Sequence, residues 1–274
     1  MDRIRPYLQE AGITEAGSVP FASCLPLLEC RAKARLPQNA ASVIICALPY
    51  YTGEWPGRNL SRYAIVPDYH TVSMQLLKPV CERLTADFGA KFEPFADNSP
   101  IREVDAAARA GLGVVGENGL LLTTRYGSWV FLAEIVTDLS LSYTEQPVKH
   151  CIACGNCRKA CPSGCITDGK IDPDRCLSAI TQTKRDLTPE EIALIRKGGL
   201  IWGCDRCQEV CPYNQHAEET PLSAFREEIH PVFTSDDLDG SLKTRACGFR
   251  GPKPLQRNLE ILKTACQTEE SVLY

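Results

Sequence analysis

The chain has 274 residues, 44% of them hydrophobic, with 30 basic against 34 acidic side chains and a formal net charge of −4. That length leaves room for more than one core, and the acidic balance argues against indiscriminate nucleic-acid binding while leaving a local basic surface open. Its 15 cysteines follow an N-terminus, M-D-R-I-R-P-Y-L-Q-E-A-G, without an apolar signal region, and no run is long enough to span a membrane, so a soluble protein of the reducing cytoplasm is expected, with thiols kept for metals.

Residues 1–40 read as helical and irregular. Residues 41–50, A-S-V-I-I-C-A-L-P-Y, form a short β-branched apolar run stopped by proline, the pattern of a buried strand feeding a loop. The turn-forming stretch T-G-E-W-P-G-R-N-L-S follows, then R-Y-A-I-V-P-D-Y-H at 62–70, then a helical pattern over 71–86 with Val72, Leu76, Leu77 and Val80 on one face. Residues 92–96 predict a strand that delivers Asp97 in the turn D-N-S-P ahead of a helix over 101–110. Two further strands are expected over 120–124 and 129–137.

Two patterns here invite over-reading. Gly111, Gly113 and Gly116 fit G-x-G-x-x-G, but that fingerprint must follow a strand and open a helix; here it follows the helical A-A-A-R-A and leads into strand-like residues. A glycine turn that lets the backbone approach a flat cofactor is the better expectation. Asp68-Tyr69-His70 resembles a ligand triplet, yet with four histidines in the chain and none at helical spacing beside His70, a hydrogen-bonded or cofactor-facing histidine is expected.

Residues 151–162 read C-I-A-C-G-N-C-R-K-A-C-P, and residues 204–212 read C-D-R-C-Q-E-V-C-P. The first is the Cys-x2-Cys-x2-Cys-x3-Cys-Pro spacing of ferredoxins with two [4Fe–4S] clusters, in which three thiolates hold one cluster and the fourth reaches the other. In the second run the leading cysteine has moved upstream to Cys176. Cluster A is therefore assigned Cys151, Cys154, Cys157 and Cys211, and cluster B Cys161, Cys176, Cys204 and Cys207. Paired zinc sites also use Cys-x-x-Cys, but zinc has no need of the interleaved Cys-Pro ends. A helix over 187–197, opened by T-P-E-E, accounts for the stretched second motif. Packing is the expected role of Cys24, Cys30, Cys46, Cys81, Cys165, Cys247 and Cys266.

Beyond Asn214 the chain turns polar, with little sign of another large core. Residues 243–258 carry Lys243, Arg245, Arg250, Lys253 and Arg257 with no acid, which reads either as a phosphate-contacting edge or as a solvated segment.

Taken together, R-Y-A-x-x-x-D-Y-H, D-x-x-P-x-x-E, A-x-x-A-G-L-G-x-x-G-x-N, G-S-W-x-F-L-x-E and the paired cysteine motifs resemble the epoxyqueuosine reductase family over most of residues 40–260. The resemblance implies a cobalamin enzyme, akin to reductive dehalogenases, that reduces an epoxide on the modified wobble base of tRNA to the alkene of queuosine. Electrons would come from an external ferredoxin or flavodoxin through two [4Fe–4S] clusters.

It further implies Asp97 as the proton donor, its pKa raised once water is excluded, with Tyr63, His70, Glu103, Gly111, Gly113, Asn118 and Ser128 toward the corrinoid. A plainer role for Asp97 as a helix cap stays open. The expected architecture is an α/β (α+β) corrinoid-binding domain of nitroreductase-like sandwich form at 1–145, then a bacterial-ferredoxin-like domain with two [4Fe–4S] clusters at 146–220. An extension at 221–274 packs back on the core. The family departs from this chain at Glu117, where lysine is usual, at Val104, where arginine is usual, and in continuing into helical repeats that help hold tRNA; tRNA contact is therefore expected to be weak. Competing readings are cytoplasmic reductive dehalogenation and a non-catalytic electron-transfer or corrinoid-reactivating protein.

Overall fold

A computed structural model describes residues 1–143, 145–238 and 241–270, with side chains described outside 241 and 265–270. Its centre is one antiparallel sheet in the order β1-β2-β6-β3. In chain order the elements are α1 (Arg5–Glu10), β1 (Glu15–Pro20), β2 (Ser42–Pro49), α2 (Arg62–Ile65), α3 (Tyr69–Phe88), β3 (Phe92–Ala96), α4 (Glu103–Arg109), β4 (Val114–Val115), β5 (Leu121–Leu122) and β6 (Val130–Thr137). They continue with α5 (Asn156–Ala160), α6 (Leu177–Gln182), α7 (Pro189–Gly198), α8 (Arg206–Glu209) and α9 (Pro252–Glu270); short 3-10 turns and a minor hairpin complete the described chain.

Every residue of β2 is buried, which is why it reads as a continuous apolar run instead of an alternating one. Ile44, Cys46 and Leu48 face the main core with Phe131, Ala133 and Ile135 of β6, while Val43 and Ile45 face a second core that includes Phe95 and the Ala106–Ala108 face of α4. Burying such a side chain contributes roughly 1.5–3 kcal/mol. α3 covers the main face through Val72, Leu77, Val80 and Leu84; Asp68 caps it and Gly89, at φ 62°, ends it.

Sequence pattern placed β2, β3, β6, α3, α4 and α7 correctly to within about two residues. The residue 120–124 strand shrinks to the two-residue β5, paired with β4. Residues 1–40 carry a full edge strand, β1, that was expected to be helical or irregular; it pairs along its length with β2. The polar C-terminal stretch forms no core of its own, but Phe225, Phe233, Leu242, Leu255 and Leu259 join the main one.

The cysteine-rich segment docks on this body. Trp202, fully buried, bridges in parallel to Leu60, the Ser61 N–H donates to Trp202 O at 2.9 Å and the Ile201 N–H to Asn59 O at 2.7 Å. Leu177, Ile180 and Ile195 form a small core among α6 and α7. Among the described residues no helix is long and apolar enough to cross a membrane.

Candidate active site

The head of α3 is built by Asp68. Its carboxylate accepts the His70 backbone N–H at 3.1 Å and meets the His70 ring at Nδ1, 2.7 Å away, so one side chain caps the helix and fixes the imidazole. On the far side of the ring, Nε2 lies 3.3 Å from Asp97 Oδ2. Asp97 is brought there by the end of β3, where Ala96 pairs with Ala133 of β6. Tyr69 stacks on His70 at 4.0 Å and on Phe131 at 4.4 Å, and its hydroxyl faces Asp97.

Two carboxylates around one imidazole decide where the proton sits. Asp68, and then Asp97, raise the His70 pKa to about 9. Asp97 is held below the usual carboxylate range, chiefly by the His70 contact, with burial working against it. Sequence expects Asp97 to hold a proton once water is excluded; here its side chain is 59% exposed, and the contact with His70 favours the proton on the imidazole.

Asp97 is not a helix cap either; Arg102 occupies the N-cap of α4. Its φ of 59° lies in the left-handed region, which aspartate tolerates better than most residues. The turn is closed by Asn98 N–H to Ala96 O and Ser99 N–H to Asp97 O, each 2.7 Å. Residues held in such conformations concentrate at functional sites.

Asp97, Ser99 and Glu103 line a cavity of about 480 Å³ together with Val104, Val115 and His150. Val115 joins this cavity to the cysteines: its N–H donates to Lys149 O at 2.8 Å and its carbonyl accepts the Cys151 N–H at 2.9 Å. Burial pushes the Glu103 carboxyl up to about 7.

The thiols gather in two groups, and Cys165 joins the second, its sulfur 3.4 Å from that of Cys161. Cys151 and Cys154 act electrostatically on both Cys157 and Cys211, and these four line a small cavity with Gly116, Asn118 and Tyr213. Cys176 and Cys161 act on Cys204, and Cys204 and Cys176 on Cys207. Among the described residues no three ligating side chains converge on a point suited to a single metal ion. A [4Fe–4S] cluster instead spreads four thiolates around a larger body.

The remaining expected residues divide. Asn118 is 2% exposed, its Nδ2 finds no protein acceptor, and it faces the Cys207 sulfur. Ser128 faces the cysteine-rich segment, not a cofactor cavity: its hydroxyl donates to Gln208 Oε1 and accepts from Asn214 Nδ2, both at 2.9 Å. Tyr63 is committed as well, its hydroxyl accepting from Trp202 Nε1 at 2.7 Å. Gly113 is required by the β4–β5 hairpin, since a Cβ there would strike the Leu122 carbonyl. Gly111, at φ 79°, sits in the turn after α4 with Gln146 beside it.

Sequence reading missed Tyr69, Asp205 and Glu134. Asp205, 2% exposed, accepts the Arg62 N–H at 2.8 Å and pairs with Arg58 at 2.9 Å. The basic stretch also needs correction. Arg245 is buried and donates to the carbonyls of Ile65 and Glu228, and Arg257 donates to the Thr183 and Arg185 carbonyls; both are structural. Lys243, Arg250 and Lys253 remain exposed. Of the spare cysteines, Cys24, Cys46, Cys81, Cys165 and Cys247 are buried and Cys30 is partly so; the Cys266 side chain lies outside the described residues.

A mixed α/β body carrying an acid–base cluster at the edge of a cavity, beside two ferredoxin-like cysteine runs, defines an iron–sulfur oxidoreductase. Comparison with known proteins sharpens this. Residues 31–98 match the family model described as epoxyqueuosine reductase QueG, DUF1730, and residues 150–214 that of a 4Fe-4S double cluster binding domain. An epoxyqueuosine reductase of Synechocystis is 35% identical over 242 residues, covering 81% of this chain and 83% of that one. The chain spans only 45% to 65% of the length of seven further curated relatives with the same name.

Among solved structures, an epoxyqueuosine reductase with an epoxyqueuosine-modified tRNA stem loop aligns at a TM-score of 0.80 and 25% identity, covering 95% of this chain and 80% of that one. A reductive dehalogenase, described with a mechanism for B12-dependent dehalogenation, shares the fold at a TM-score of 0.56 and 15% identity, covering 97% of this chain and 35% of that one. The chain belongs to the epoxyqueuosine reductase family of oxidoreductases.

Proposed function

We propose that this chain reduces the epoxide of epoxyqueuosine in tRNA to an alkene, with cobalamin in the cavity beside Asp97 and electrons drawn through two [4Fe–4S] clusters from a ferredoxin or flavodoxin. The observation that carries this reading is His70 Nε2 set 3.3 Å from Asp97 Oδ2 at a cavity whose wall runs directly into Cys151. An electron carrier has no use for a positioned acid, whereas opening an epoxide requires one, because the oxygen must not depart as a bare anion.

The cavity suits a corrinoid in kind. Leu28, Ile101, Val104, Val115 and Val148 give it apolar walls. Residues 1–145 are taken as the corrinoid-binding part, 146–220 as the cluster part, and 221–274 as the extension against the core. When bound, the corrinoid supplies a strongly reducing, nucleophilic metal centre, fed by clusters from the low end of their potential range.

The chain's own part is proton delivery. Asp97 accepts the proton from His70 Nε2 and passes it to the epoxide oxygen as the C–O bond breaks, while Asp68 keeps the imidazole ring oriented. Tyr69 holds the Asp97 carboxylate in place.

The test is reduction of an epoxyqueuosine-bearing stem loop by anaerobically purified, cobalamin-loaded protein with a low-potential donor. Mass spectrometry should show loss of one oxygen and appearance of queuosine. A protein that leaves the stem loop untouched yet removes halide from halophenols would shift the reading to reductive dehalogenation.

A further inference from the structure

Strand β6 carries a carboxylate where its pattern calls for an apolar side chain. Glu134 lies between Ile45 and Phe95 in the sheet register, on the face of the second core, and is 0% exposed. Neither of its carboxylate oxygens has a hydrogen-bond partner, and Oε1 of Glu103, at the first turn of α4, is likewise buried without one. The two carboxyl groups interact with each other.

As anions, both groups only accept, so neither can satisfy the other. Removing even one ionised carboxylate from water costs several kcal/mol, and two facing each other cannot both stay charged. A retained proton resolves this by turning one carboxyl into a donor.

The neighbours reinforce the point. Asp97, from the turn after β3, adds negative charge, and Cys24 and Cys46 also feel the Glu134 charge; the Ser99 hydroxyl and the cationic His70 oppose only part of this. Burial raises Glu134 well above the usual carboxylate range and Glu103 to about 7. Glu134 is sealed within the sheet and Glu103 lines the cavity, so Glu134 is the fixed partner and Glu103 the one placed to exchange a proton.

The proposed reaction consumes two protons: epoxide plus two electrons and two protons gives alkene plus water, with both C–O bonds broken and the electrons coming from a low-potential one-electron donor. The His70–Asp97 pair holds one proton. We propose that Glu103, backed by Glu134, holds the second and delivers it into the Asp97 cavity, so that the oxygen leaves as water. This rests on the reductase reading given above, with Glu103 lining the cavity and Glu134 acting through it as a positioning residue.

The experiment uses the cluster- and cobalamin-loaded protein. Infrared spectra of wild type in H2O and in D2O, taken at pH 6 and at pH 8, should show a deuterium-sensitive protonated-carboxyl band that titrates near 7, absent in Glu103→Gln, and a second such band that is the same at both pH values and absent in Glu134→Gln. Single-turnover reduction of the modified stem loop should fall as pH rises through about 7, although the His70 proton persists to about 9.

Glu103→Gln should lose on the order of a hundredfold in that rate and lose the limb near 7, with cobalt reduction unchanged. Glu134→Gln still offers Glu103 a donor and should stay within a few-fold of wild type. Absence of any protonated-carboxyl band in wild type, or a Glu103→Gln rate and pH profile equal to wild type, overturns the proposal. If Glu103→Gln does not fold, the wild-type infrared titration decides. If wild type does not reduce the stem loop, the reductase reading fails, while the infrared bands still decide whether the pair holds its proton.

Discussion

At the level of single residues, His70 and Asp97 divide a task that sequence assigned to Asp97 alone. Asp97→Asn cannot relay a proton, so turnover should fall by about a hundred- to ten-thousand-fold, while cluster and cobalt reduction, followed by visible spectra, should match wild type. A variant retaining full turnover would remove Asp97 from the chemistry. The His70 pairing also sets a pH dependence. Because its folded pKa is raised from 6.5 to about 9, its stabilising contribution is complete below 6.5 and is lost as pH rises through about 9. Melting temperatures of wild type and His70→Asn should therefore converge above pH 9; a gap that persists there contradicts the ion pair. The D-Y-H and D-N-S-P motifs were both visible in the sequence, but the site of the proton was not. It depends on a 3.3 Å contact between side chains 27 positions apart, which no local pattern encodes.

At the level of elements, the cysteine-rich segment is held to the sheet body by a few buried polar joints, among them the one made by Asp205. Its carboxylate satisfies the Arg62 N–H and the Arg58 guanidinium, whose own side chain is 10% exposed. Removing one partner of a buried pair typically costs about 3–5 kcal/mol, so Asp205→Ala should lower the anaerobic unfolding midpoint sharply. Thr188→Ala, which removes the capping box of α7, should cost only about 1 kcal/mol; equal losses would mean that the Asp205 joint is not buried in solution. A 4Fe-4S binding segment was legible because most of its cysteines fall in two short runs. The joint was not, since Arg62 and Asp205 are 143 positions apart. β1 escaped notice because E-A-G-S-V-P lacks strand propensity and becomes a strand by pairing with β2. α9 escaped because it opens on P-K-P and, among its described side chains, buries only part of one face.

Across the whole molecule, Lys243, Arg250 and Lys253 are the cations of the basic stretch left exposed once Arg245 and Arg257 are set aside. Arg250 lines a cavity of about 670 Å³ with Lys184, Arg185 and Cys176, and Lys243 and Lys253 are exposed nearby in sequence. Neutralising all five basic residues of 243–257 would therefore confuse binding with folding, because Arg245 and Arg257 hold backbone carbonyls of other segments. The informative variant is Lys243→Ala, Arg250→Ala and Lys253→Ala together, which should melt like wild type. If these three side chains contact phosphates of an anticodon loop, each releases condensed counterions, worth about 0.7 in the slope of log affinity against log salt for a single strand. The triple variant should bind the stem loop more weakly at low salt, with a slope shallower by about 2, and the two affinities should approach each other as salt rises. Parallel salt dependences for wild type and variant would make this stretch a solvated surface and move the search for phosphate contacts to Lys184 and Arg185.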